Sequence, residues 1–104
     1  MRRIRPWLRK QSGWLQAGGN WYYFRNGEAV HGDVVTVGGK TYLFDHDGRL
    51  ACNELVGQYY ADANGVIVTG AWKKIGDKYY YFGQDGRFLI GVWKIGGKIY
   101  YLDY

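Results

Sequence analysis

The stretch Val68-Thr69-Gly70-Ala71-Trp72-Lys73-Lys74-Ile75-Gly76-Asp77-Lys78-Tyr79-Tyr80-Tyr81-Phe82 decides the fold. Apolar and aromatic residues flank Gly76-Asp77 on both sides, which is the pattern of a β-hairpin closed by a tight turn. Asp85-Gly86 follows, a second turn signal, because both residue types tolerate positive φ. Working outward, the aromatic tetrad Tyr79-Tyr80-Tyr81-Phe82 has relatives at Trp21-Tyr22-Tyr23-Phe24, Thr41-Tyr42-Leu43-Phe44, Gln58-Tyr59-Tyr60-Ala61 and Ile99-Tyr100-Tyr101-Leu102. Their spacings along the chain are 20, 17, 21 and 20 residues. A Gly turn precedes each tetrad, at Gly18-Gly19, Gly38-Gly39, Gly57 and Gly96-Gly97 as well as Gly76-Asp77. Asn26-Gly27, Asp47-Gly48 and Asn64-Gly65 follow the earlier tetrads as Asp85-Gly86 follows the fourth. A period of about 20 residues is the mark of a solenoid, in which each unit buries its apolar face on its neighbours.

Strand alternation sorts each tetrad into two faces. The second position is always Tyr and the fourth is mostly large and apolar, and an apolar residue (Ala29, Leu50, Ile67, Phe88) stands two past each loop Gly. These near-constant positions are the expected core. The first and third positions form the expected exposed face. The third repeat is short, with Asn53 where the others have Gly13, Gly32, Gly70 and Gly91. Asn is the next-best residue for a left-handed backbone, so a truncated hairpin turning near Val56-Gly57 is predicted.

The 104 residues include 17 Gly, one Pro, 11 Tyr and 5 Trp, a composition for short strands and tight turns rather than a helical bundle. No apolar run reaches the roughly 20 residues of a membrane span. One Cys excludes an internal disulfide framework. The net charge of +5 comes from Arg2, Arg3, Arg5, Arg9 and Lys10; from Gln11 onward nine basic residues balance nine acidic ones. A neutral body argues against a nucleic-acid partner, whose binders carry charge on the folded surface. The head has a basic start without the apolar stretch of a signal peptide. Trp7 and Leu8, after Pro6, are expected to cap one end of the stack. No carboxylate pair, phosphate-cradling loop or complete metal-ligand set stands out, so no enzyme, catalytic residue, metal or cofactor is expected. Asp45-His46-Asp47-Gly48 reads as a polar turn and Cys52 as a small buried thiol.

The repeated Gly-Trp, tetrad and loop-Gly pattern over residues 12–104 resembles the cell-wall-binding repeats. These include the choline-binding repeats of Gram-positive surface proteins and phage lysins, with glucan-binding and clostridial-toxin relatives. The resemblance implies a β-hairpin solenoid and a non-catalytic targeting module on a secreted or surface protein. It also implies an aromatic cage between successive hairpins. Two walls are the Trp before the turn and the first tetrad residue; the third is the third tetrad residue of the next repeat. Aromatic faces suit a quaternary ammonium, which cannot donate hydrogen bonds. On that pattern Trp72, Tyr79 and Tyr101 complete one cage. Trp14 and Trp21 make a partial one, with Leu43 as third wall. Val34 and Thr41, and Leu55 and Gln58, replace walls at the other two junctions. Trp93 stands six residues before its tetrad, where Trp14 and Trp72 stand seven.

The sequence therefore predicts an all-β, elongated solenoid of about five stacked β-hairpin repeats of ~20 residues. A basic head over residues 1–11 precedes a repeat domain over 12–104, with repeats at about 12–30, 31–50, 51–68, 69–90 and 91–104. The expected function is non-catalytic binding of a bacterial cell-wall or surface glycopolymer, either polysaccharide or choline-bearing teichoic acid. The expected ligand-binding residues are Trp72, Tyr79, Tyr101, Trp14, Trp21 and Trp93. The alternative is a structural spacer or dimerisation module, with a homodimer through an open solenoid end. The location implied by the resemblance is extracellular or at the cell surface.

Overall fold

The computed structural model describes residues 12–104, so the expectations for the head lie outside the described residues. Strands β1 (Gly13–Ala17) and β2 (Asn20–Arg25) form the first hairpin, to which the short β3 (Glu28–Ala29) adds a third strand. Strands β4 (Asp33–Val37) and β5 (Lys40–Phe44) form the second, and β6 (Glu54–Val56) and β7 (Tyr59–Ala61) the third. Strands β8 (Ala71–Ile75) and β9 (Lys78–Phe82) form the fourth, and β10 (Gly91–Ile95) and β11 (Lys98–Leu102) the fifth. Five antiparallel hairpins stack into a body of 54 × 27 × 20 Å, the elongated all-β solenoid that the repeats predict.

The turn chemistry is local. Gly18 and Gly19 both take positive φ (57° and 79°), as a two-residue hairpin turn that follows the strand twist requires. Asn53 takes φ 53° at the head of the short third hairpin, where Gly32 and Gly70 each take 56°. In the loop after the second hairpin, Asp45 Oδ1 accepts the backbone N–H groups of Asp47 and Arg49, each at 2.9 Å. Asp62 Oδ1 does the same for Asn64 and Val66 at 2.8 and 3.0 Å. Both carboxylates hold turns.

Hairpins are tied to one another by the segment after each loop. The N–H of Leu50 donates to Trp21 O (2.8 Å), that of Ile67 to Thr41 O (2.9 Å) and that of Phe88 to Gln58 O (2.9 Å). Each acceptor is the first tetrad residue of the preceding hairpin. The loop glycines lie against the previous repeat as well: a Cβ on Gly86 would meet Ile67 Cδ1 at 2.5 Å and Tyr59 Cδ1 at 3.2 Å.

The buried side chains are Val35, Leu43, Phe44, Ala51, Val56, Tyr60, Ala61, Phe82 and Leu102. The fourth tetrad position is core except in the first hairpin, where Phe24 is half-buried, and the second, also expected in the core, is half-buried in all five. The third position corrects the sequence reading: Leu43 is 1% and Tyr60 8% exposed. Both faces of a stacked hairpin are covered by neighbours, so burial runs along the strand rather than across it. Residues near the turn are open and those near the base are packed. Cys52 is a second correction, because its side chain is exposed rather than a buried core thiol.

Candidate aromatic binding sites

The register fixes which rings share a face. Trp14 lies opposite Tyr23 and Gln16 opposite Trp21, so Trp14, Trp21 and Tyr23 occupy one face of the first hairpin. That face meets the second hairpin, whose Tyr42 and Phe44 point back at it. Trp14 stands edge-on to Tyr42 at 4.8 Å and 86°, to Tyr23 at 5.4 Å and 83°, and to Trp21 at 6.1 Å and 89°. The two indoles thus make perpendicular walls. Leu50 closes the corner, held there by its N–H bond to Trp21 O. Trp14, Trp21 and Leu50 line a cavity of about 360 Å³, near the lower end of the roughly 300–1,000 Å³ of small-molecule sites. Trp14 is half-buried and buttressed by Tyr42, whereas Trp21 is 42% exposed.

The expected third wall, Leu43, is buried in the core, and Leu50 takes its place. At the fourth junction the displacement is one residue, from Tyr101 to Tyr100. Trp72 meets Tyr100 at 4.9 Å and Tyr81 at 5.2 Å. Tyr101 pairs with Val92 on the opposite face of the fifth hairpin and is 72% exposed, so it is not brought to Trp72. Successive strand residues point to opposite faces, and Tyr100 is the one that looks at the fourth hairpin. Tyr79 is 60% exposed, with Lys74 Nζ 5.6 Å from its ring centre.

Trp93 lies opposite Tyr100 in the register and shares its face. Its six-residue spacing puts it on the other face of its hairpin from the one Trp14 and Trp72 use in theirs, because a one-residue slip reverses side-chain direction. Its Nε1–H donates to Ile90 O at 2.8 Å, which fixes the ring. At the middle junctions no aromatic pair forms a comparable corner among the described residues. Lys73 Nζ lies 5.3 Å from the Tyr60 ring there, and Arg87 donates through Nε to Tyr59 Oη at 3.3 Å.

Leu50, Tyr42 and Tyr100 were not among the expected ligand residues. Strict period-two parity within the tetrad points to Tyr42 and Tyr100, since the second position faces backwards along the stack. The sequence pattern marks Leu50 only as a core position. Cys52 has its thiol pKa pushed above the ordinary value, by partial desolvation first and then by Glu54 and Asp62. A raised pKa keeps the thiol protonated and unreactive.

The family model described as a putative cell wall binding repeat matches residues 12–29 and 70–88. The matched stretches are the first and fourth hairpins, the two with Trp seven residues before the tetrad. The fold is similar to that of the modular autolysin LytC from Streptococcus pneumoniae, with a TM-score of 0.67 and 26% identity, over 85% of this chain and 22% of that one. It is similar to choline binding protein F from Streptococcus pneumoniae, with a TM-score of 0.63 and 34% identity, over 89% of this chain and 32% of that one. CbpJ from Streptococcus pneumoniae gives a TM-score of 0.63 and 28% identity over 89% of this chain and 33% of that one. The chain therefore spans about a fifth to a third of the length of these solved chains. A search of curated proteins gave no match.

Proposed function

We propose that the chain is a non-catalytic binding module for a bacterial cell-wall or surface glycopolymer, acting outside the cell. At the first junction the recognised group is a quaternary ammonium such as choline. The observation that carries this is the perpendicular pair Trp14 and Trp21 around a cavity closed by Leu50. A permanent cation without hydrogen-bond donors gains from two π-faces and an apolar floor, about 0.5–2 kcal/mol per ring. Choline binding protein F, by its name a choline binder, was solved in the presence of a peptidoglycan analogue, and its likeness to this chain supports the same ligand class. The binding unit is residues 12–104, preceded by the basic head. LytC is called an autolysin, but the chain spans only 22% of it, and nothing in the aromatic corner supplies an acid, base or nucleophile.

Co-sedimentation with Gram-positive cell walls tests this. Sedimentation that excess choline abolishes supports the cage; sedimentation that choline leaves unchanged assigns the contact to a wall sugar. Failure to sediment with any wall overturns the proposal.

One observation favours a second reading, self-association. The outer face of the fifth hairpin carries Val92, Ile99 and Tyr101 at 68%, 74% and 72% exposure. Such an apolar patch suits a protein contact. Analytical ultracentrifugation decides it: mass that rises with concentration and is reset by Ile99→Lys supports the contact, and a constant monomer mass excludes it.

A further inference from the structure

We propose that the junction between the fourth and fifth hairpins is a second site, and that its ligand is an anionic polysaccharide. The proposal rests on the glycopolymer-binding reading but concerns a different junction and a different ligand chemistry.

Charge is divided along the stack. Residues 12–69 hold three Lys or Arg against six Asp or Glu, and residues 70–104 hold six against three. The stack is therefore net −3 over its first part and net +3 over its last two hairpins. The first part suits a cation and the last two hairpins an anion.

The side chains at the fourth junction agree with this division. Lys74 pairs with Tyr79 in the register and shares the face of Trp72. Its ammonium, 5.6 Å from the Tyr79 ring centre, holds the π-face that a ligand cation would use, and repels such a cation. From the fifth hairpin, Trp93 and Lys98 share the face that carries Tyr100 toward Trp72. At the first junction the places of Lys74 and Trp93 belong to Gln16 and Val35, one neutral and one buried. The fourth junction thus offers Trp72, Tyr79 and Trp93, exposed by 38%, 60% and 45%, on faces that also carry Lys74 and Lys98. Open rings stack on the apolar C–H face of a pyranose. Ammonium groups make charge-assisted hydrogen bonds to carboxylate or phosphate oxygens. An anionic sugar chain satisfies both, whereas a free ammonium ligand satisfies neither.

Isothermal titration of the full chain with polygalacturonate tests the proposal, with dextran as the neutral counterpart and choline as the first-junction ligand. Three variants are compared, all keeping the basic head: Trp93→Ala, Trp93→Tyr, and Lys74→Gln combined with Lys98→Gln. The expected result is polygalacturonate binding well above dextran binding. Trp93→Ala and the double lysine variant each lower it about tenfold, and Trp93→Tyr retains most of it. Choline binding is unchanged in every variant. Polygalacturonate binding that is the same in all variants assigns the contact to the head and overturns the proposal. Dextran binding equal to that of polygalacturonate also overturns it. Loss of choline binding by the parent chain contradicts the first-junction reading alone.

Discussion

Trp21 and Gly86 show how differently two repeat positions are constrained. Trp21 is exposed at the lip of a cavity, and its backbone carbonyl accepts the N–H of Leu50. Trp21→Ala is therefore expected to leave the strand signal in circular dichroism intact while weakening choline binding about tenfold, as titration calorimetry would report. Gly86 is buried at φ 88°, with Ile67 and Tyr59 where a Cβ would go. Gly86→Ala combines left-handed strain with overpacking and is expected to cost about 2–4 kcal/mol. Gly96, at φ 59° with open space around it, is expected to lose only about 1–2 kcal/mol on the same change. Urea midpoints of the two variants check the order. At Cys52, desolvation and two carboxylates disfavour the thiolate, so alkylation by iodoacetamide should half-saturate at a higher pH than for free cysteine. A midpoint below that of free cysteine would contradict this.

At the scale of the element, the hairpins were legible because turn chemistry is local. Gly-Gly and Gly-Asp turns, the truncated third hairpin and the left-handed Asn53 all follow from residues within a few positions of one another. The contacts between hairpins were less legible. The tetrad's first and third positions do share a face, but stacking covers that face near the base, which buries Leu43 and Tyr60 and leaves Trp21 and Tyr79 open. At the fourth junction the ring that meets Trp72 stands one residue before the expected one, which in a strand means the opposite face. Tyr101 was expected where Tyr100 stands. Leu50 was hidden for another reason: it reaches the Trp14 and Trp21 corner only through the bond between successive hairpins. The shifted spacing of Trp93 was visible in the sequence, and its meaning required the register. If parity governs the junction, Tyr100→Ala should change Trp72 near-ultraviolet circular dichroism, and Tyr101→Ala should leave it unchanged.

Across the whole molecule, five hairpins make one extended core in which the base of each unit is sealed by its neighbours and the tips remain open. Tryptophan corners against the next hairpin form at the first and fourth junctions, where large rings are kept near the tips. These are the two hairpins that match the cell wall binding repeat. The opposite net charges of the first part and the last two hairpins then separate the chemistry the two junctions can hold. Under the proposed function the two junctions would hold a polymer at separated points, so that weak single contacts add through effective concentration.

The most direct measurement is a calorimetric titration of choline into the parent chain, the Trp14→Ala and Trp21→Ala variants, and Trp72→Ala. The account predicts one dominant binding event that either first-junction change weakens about tenfold and Trp72→Ala leaves intact. Choline binding that survives both first-junction changes, or that only Trp72→Ala removes, would contradict it.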